Sequence, residues 1–363
     1  MASGVTKSKF RFLLHGLDTV QVCYYFFPGS GSGIDFEWLA VERERLRADK
    51  KIQSKAIVIG GQEFLLSPNG SGSGYPFVIR NADYKIECGP HNNPPFYVTF
   101  RSEALWREGA HALHERFCAW AEKLGYGAVR PEKLSRMDFC FDYYLPVVDF
   151  DEDSFVSLSA KDRQHRERGQ LQTFSFGKGD VVLRVYDKIA EIVQQSGKVW
   201  MFDLWGVDSH VWRIEWQCRK DILKRFGIVT LDDWGALQGD LLRMLATEHD
   251  TLRIKKADSN RSRWPLHPVW QDLQQRIAEL DAQGVWRVDG RAAGLREQQQ
   301  RPIIMVNGYV KRYAALWAAR HGGEIPNGRR AIAALAGDLA EVHDPLTWKV
   351  DVMQRLKEIQ LGP

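Results

Sequence analysis

The chain has 363 residues, 44% hydrophobic and 26% charged, which is ordinary for a globular protein and allows two domains or one large fold with an appendage. No run of about 18 apolar residues occurs, so a transmembrane helix is excluded, and a net charge of +4 is too mild to signal a nucleic-acid partner by itself. The five cysteines, Cys23, Cys88, Cys118, Cys140 and Cys218, form no CxxC pair; this argues against a disulfide scaffold or a cysteine zinc site and for reduced thiols in a cytoplasm. The N-terminal stretch MASGVTKSKFRFLLHG carries too short an apolar run for a signal peptide.

In chain order, LDTVQVCYYFF (17–27) reads as a strand ending at the PGSGSG loop. A helix from Asp35 follows, with Phe36, Leu39 and Leu46 on its apolar side. Short strands are predicted at 54–61, 63–67, 76–81, 83–89 and 96–100. Trp106, Ala110, Leu113, Phe117, Trp120 and Leu124 then form one apolar stripe that predicts a single helix over 103–124.

The second half repeats that order more compactly. It has a strand at 135–145, a short acidic helix around 150–161, strands 171–177 and 181–188 about the turn Lys178–Asp180, a helix near 189–195, a strand at 210–220 and a helix near 231–245. Two related α+β units, sharing one sheet or packed as a pseudo-dimer, would explain the repeat. From Trp264 onward the texture becomes helical, at 264–277, 302–322, 327–342 and 345–359, with a Gly/Arg/Gln-rich connection near 284–301. The expected fold is therefore α+β: duplicated strand–helix units forming antiparallel sheet with helices on one face, plus a C-terminal all-helical region. The expected divisions are 1–125, 126–262 and 263–363. Two basic runs, 161–169 and 251–263, have the composition that phosphate neutralisation needs, though solvated loops would look the same.

Three strands carry a chemical face. Alternation places Arg136, Asp138, Cys140 and Asp142 on one side, Arg184, Tyr186 and Lys188 on another, and Arg213, Glu215, Gln217 and Arg219 on a third, each opposite apolar residues. In one sheet these would gather several carboxylates beside a phenol and cations. A half-exposed sheet laced with salt bridges is the plain alternative. Close carboxylates repel, and a divalent cation between them relieves the repulsion; oxygen-only donors favour Mg²⁺ or Mn²⁺. A tyrosine in that setting has what an attack on a phosphodiester requires.

The segments SRMDFCFDYY, TFSFGKGDVVLRVYDK and WRIEWQCRKD together resemble the replication initiation factor family, which includes rolling-circle plasmid initiators and relaxases of some conjugative elements. In that family an R-x-D strand, an R-[IVL]-Y-[DN]-K strand and an R-x-E strand follow in this order. The likeness spans about residues 130–230, and WPLHPVW resembles a segment beyond the catalytic region. It implies Tyr186 as the nicking residue with Lys188 beside it, and Asp138 and Glu215 as metal ligands, with Asp142 a further candidate. Arg136, Arg184, Arg213, Arg219 and the turn residue Lys178 are the candidate DNA contacts.

The implied activity is tyrosine transesterification, with a 5′-phosphotyrosyl intermediate and a free 3′-OH, starting rolling-circle replication or conjugative transfer of a mobile element. The implied partners are DNA, as an origin hairpin or single strand, a host helicase and a second copy of the chain; no membrane is involved, and the setting is a bacterial cytoplasm. No GxxxxGK[ST] motif occurs, so helicase activity would come from the partner. The rival reading is a catalytically inactive DNA-binding regulator of the same fold.

Overall fold

The computed structural model describes residues 10–29, 33–49, 53–159, 162–167, 170–284, 290–342 and 344–361. The chain forms two compact units, Met1–Trp286 and Arg287–Pro363.

The first unit opens with strand β1 (Arg11–Tyr24), short β2 (Phe26–Pro28) and helix α1 (Phe36–Ala48). Asp35 caps α1 by accepting from the backbone N–H of Trp38 at 2.8 Å. Strands β3 (Lys55–Ile59), β4 (Gln62–Leu66), β5 (Phe77–Arg80), β6 (Tyr84–Cys88) and β7 (Phe96–Phe100) follow, then α2 (Ser102–Glu108), α3 (Ala110–Lys123) and β8 (Tyr126–Ala128). The single helix predicted over 103–124 is thus two. Gly109 breaks it with φ +84 and ψ 166, a backbone region that essentially only glycine occupies, which the continuous apolar stripe concealed.

The second half brings β9 (Lys133–Tyr144), β10 (Phe155–Ser157), β11 (Asp162–Glu167), β12 (Gln170–Phe176) and β13 (Val181–Asp187). Helix α4 (Lys188–Glu191) runs into a π-helical turn to Ser196, and α5 (Met201–Trp205), β14 (Val211–Arg219), α6 (Lys220–Arg225) and α7 (Leu231–Met244) follow. After a second π turn come β15 (Asp250–Leu252) and α8 (Pro268–Ala278). The acidic helix expected around 150–161 is instead a 3₁₀ turn at 152–154 leading into β10. Asp151 and Ser154 bond each other there and close a capping box after a single turn. The basic run at 161–169 is largely strand β11, whose side chains lie outside the described residues.

Among the described residues, eleven strands make one antiparallel sheet in the order β11-β12-β13-β14-β9-β1-β7-β6-β5-β4-β3. The two halves therefore share a sheet, joined where β1 pairs with β9. Outward from that seam the order is β1-β7-β6-β5-β4-β3 on one side and β9-β14-β13-β12-β11 on the other. In each half the first strand is central, the last lies beside it and the middle strands follow in reverse. This is the duplication seen in the element order.

One sheet face is apolar and covered by helices. Phe117 of α3 packs on Tyr24 at 4.6 Å between ring centroids, Trp234 of α7 on Phe139 at 5.8 Å, and Trp270 of α8 on Trp216 at 5.6 Å. Helix α8 therefore belongs to the first unit; its Val269, Trp270, Leu273 and Ile277 are buried in that core. His267 of the WPLHPVW segment starts α8, accepting from Val269 N–H and pairing with Asp149 at 3.1 Å.

The second unit consists of α9 (Gly290–Arg320), α10 (Gly328–Val342) and α11 (Pro345–Leu361). Helix α9 takes in most of the segment expected as a connection. Tyr313 bonds Asp338 at 2.6 Å, linking α9 to α10. Among the described residues no helix is long and apolar enough to cross a membrane.

Candidate active site

The opposite sheet face is the polar one, and period-2 alternation puts it there. Its central strands bring the predicted residues together by register. On β9 and β14, Asp138 faces Gln217, Cys140 faces Glu215 and Asp142 faces Arg213; on β13, Arg184 faces Glu215 and Tyr186 faces Arg213.

At the heart of the site Tyr186 donates its phenol hydrogen to Glu215 Oε2 at 2.9 Å. The other carboxylate oxygen of Glu215 accepts from Arg184 Nη1 at 3.3 Å, and Arg184 Nη2 donates to Gln217 at 2.9 Å. Asp138 accepts from Arg136 Nε at 2.7 Å and from its Nη2. Asp138, Glu215 and Tyr186 are all buried, whereas the side chains of Arg136 and Arg184 are 24% and 37% exposed and are the members of the set that reach solvent.

Burial, reinforced by the charge of Glu215, pushes the Asp138 carboxyl up to about 6 against the pull of Arg136 and Arg184. Burial and the nearby Glu215 also hold the Tyr186 phenol well above its ordinary value of 10. The tyrosine is therefore a neutral phenol at physiological pH.

Lys188 does not continue the strand. Asp187 accepts from Ala190 N–H and caps α4, so Lys188 is the first helical residue. It is buried, its ammonium donates to Glu191 at 2.6 Å, and it lies 5.5 Å from the Tyr186 ring centroid.

Two predicted residues have a different setting. Asp142 accepts from Arg213 Nε and Nη2 at 2.7 and 2.8 Å and from Trp205 Nε1 at 2.9 Å, so both its oxygens are engaged. Arg213 is fully buried, and its Nη1 donates to Asp18 at 2.7 Å. Neither side chain reaches solvent, which removes Arg213 as a contact for a DNA phosphate and leaves Asp142 an internal counter-charge. Arg219 and Lys178 are exposed, Arg219 at the end of β14 and Lys178 in the β12–β13 turn.

Sequence reasoning missed Asp18, which lies on β1 and also accepts from Ser102 at 2.8 Å and Lys198 at 3.0 Å. Burial would raise its carboxyl, but Arg213, Lys198 and Lys188 together hold it well below the usual carboxylate range. A lone aspartate inside an otherwise β-prone run was the available signal. Trp205, on a helix the sequence did not predict, was equally hidden.

Among the described residues no group of three or more His, Cys, Asp or Glu side chains is placed to hold a metal ion. The donor set on the polar face is two carboxylates, Asp138 and Glu215. Mg²⁺ and Mn²⁺ are commonly held by one or two carboxylates completed by water and substrate phosphate. Two buried carboxylates, near enough that the Glu215 charge adds to the burial that raises Asp138, are the donor chemistry such an ion takes, and each is shared with an arginine, Arg136 or Arg184.

No family model matches this chain, and no curated protein matches it. Among solved structures it is similar to a rolling-circle replication initiator protein from Geobacillus stearothermophilus, with 18% identity and a TM-score of 0.44, over 76% of this chain and 98% of that one.

Proposed function

We propose that the protein is a DNA strand nicking-joining enzyme in which Tyr186 is the nucleophile, acting to initiate rolling-circle replication or conjugative transfer of a mobile element. The observation that carries this reading is the 2.9 Å hydrogen bond from the Tyr186 phenol to Glu215, beside the raised Asp138 carboxyl and within a cationic rim. Each acid is also paired with a base, Asp138 with Arg136 and Glu215 with Arg184, as in a salt-bridged sheet; what such a sheet does not need is a buried phenol donating to one of the carboxylates.

In this reading Asp138 and Glu215 would hold one Mg²⁺ or Mn²⁺, which when bound would supply charge neutralisation at the scissile phosphate. Tyr186 Oη attacks the phosphorus, forming the O–P bond as the P–O3′ bond breaks, and its proton passes to Glu215 Oε2. The product is a 5′-phosphotyrosyl enzyme, and the released 3′ oxygen takes a proton from solvent. Arg136 and Arg184, which reach solvent, bind and orient the phosphate and stabilise its developing charge. Lys188, buried beneath the tyrosine, fixes the ring through its cation–π contact.

The test is nicking of a supercoiled plasmid bearing the cognate origin, with Mg²⁺ or Mn²⁺, by wild type and Tyr186→Phe. Wild type should nick and stay attached to a 5′ end, while Tyr186→Phe binds and does neither. Equal nicking by both would make the tyrosine structural. Tight binding without nicking by either would leave a DNA-binding regulator.

A further inference from the structure

The register of the sheet aligns one continuous cross-strand row on the polar face. Arg80 of β5 faces Lys85 of β6, Lys85 faces Thr99 of β7, Thr99 faces Gln21 of β1, Gln21 faces Arg136 of β9, and Arg136 faces Arg219 of β14. Directly opposed residues share a face, so all six side chains stand on the side that carries Tyr186. Arg80, Lys85 and Arg219 are exposed, and Thr99, Gln21 and Arg136 are half-buried.

Four of the six are cations, and the two central ones are hydrogen-bonding neutral side chains. Among the described residues, Arg80 and Arg219 have no carboxylate within ion-pair reach. Strands about 4.8 Å apart make the row roughly 24 Å long, room for several nucleotides of an extended strand. It runs directly past the pocket, because Asp138 is the next residue after Arg136 on the same face of β9.

We infer that this row is a track for single-stranded DNA, laid across the N-terminal half of the sheet and delivering the scissile phosphate to Tyr186. The inference rests on the nicking reading. It adds to that reading a task for the half-sheet β5-β6-β7-β1, whose polar face carries two acids, each already paired: Glu87 with Lys85, and the buried Asp18 with Arg213 and Lys198. A single strand suits this surface better than a duplex. Tyr186 is only 9% exposed, so a phosphodiester must leave a stacked helix to reach its phenol.

The experiment is fluorescence-anisotropy binding of the full chain to two single-stranded oligonucleotides across a salt series. One covers only the nick site and the other extends well beyond it. Wild type is compared with Arg80→Ala, with Arg80→Ala/Arg219→Ala, and with Lys123→Ala on α3 as a control over the apolar face. For the long strand, the slope of log affinity against log salt should fall by about 0.7 for each row cation removed. The Arg80→Ala change should leave binding of the short strand, and its cleavage, as in wild type, because the short strand never reaches β5. A long-strand slope unchanged in both row variants, with wild type binding and nicking through Tyr186, overturns the track alone. A wild type that binds no single strand overturns the track together with the nicking reading.

Discussion

Tyr186 and Glu215 are bonded at 2.9 Å although neither is the other's direct partner in the sheet. The register sets Tyr186 against Arg213 and Glu215 against Arg184, so the bond is a diagonal between β13 and β14. Diagonal neighbours on a sheet face are far enough apart that only long side chains meet. Here a phenol and a glutamate reach toward each other, while the direct partner of the tyrosine, Arg213, turns away to Asp142 and Asp18. The arrangement keeps a full positive charge off the phenol oxygen and leaves a proton acceptor on it.

The phenol should therefore stay protonated well into alkaline solution. Ultraviolet difference titration of wild type against Tyr186→Phe should show no tyrosinate from this residue near pH 10, since burial and Glu215 hold it well above that value. Glu215→Gln removes the largest charge contribution and should bring its titration to lower pH. A Tyr186 ionising at or below pH 10 in the wild type would contradict the geometry.

Asp138 sets a second pH dependence. Its carboxyl titrates near 3.8 when unfolded and at about 6 when folded, so the folded state holds the proton more tightly. The contribution to stability is fully present below about pH 4 and is lost as pH rises through 6, on the order of 1–3 kcal/mol. Urea denaturation between pH 4 and 7 should show this loss in wild type and its flattening in Asp138→Asn. Mg²⁺ or Mn²⁺ should restore stability above pH 6 in wild type and not in the variant; equal responses would remove Asp138 as a ligand.

The buried ion network predicts a purely structural effect. Arg213→Met leaves Asp18 and Asp142 facing each other without their shared cation, and should cost about 3–5 kcal/mol in urea denaturation. Asp142→Asn keeps the shape and should cost less. In Arg213→Met/Asp142→Leu, where one buried charge goes with its partner, much of the loss should return. A single Arg213→Met variant as stable as wild type would mean that water reaches the network.

How much of this was legible follows from the range of each interaction. The chemical face was visible because alternation within β9, β13 and β14 is local, and the sheet brings together what the alternation exposed. The outer hairpins and α7 were visible for the same reason. Asp142 and Arg213 looked like Asp138 and Arg136 because a strand pattern says which face a residue occupies and nothing of what covers that face. What covers them is Trp205 and the segment around α5, together with Asp18, 195 residues from Arg213. Helix α5 is five residues long, too short for a periodic signal. The role of α8 in the first unit was hidden similarly, since a helical texture does not say which core its apolar stripe joins.

Gly109 shows the same limit within a single helix stripe. Its φ of +84 and ψ of 166 turn the chain between α2 and α3, yet apolar residues continue in phase on both sides. A methyl group added there would meet no heavy atom within 4 Å. Gly109→Ala should therefore lose stability through the backbone alone, by about 1–3 kcal/mol. If the chain could instead run as one helix, alanine would favour it and the variant would gain helix content and stability, because alanine outranks glycine in a helix interior by about 1 kcal/mol. Circular dichroism and urea denaturation of this one variant distinguish the two. A loss should be seen, because straightening the bend would carry Ala104 and Leu105 of α2 away from the core in which they are buried.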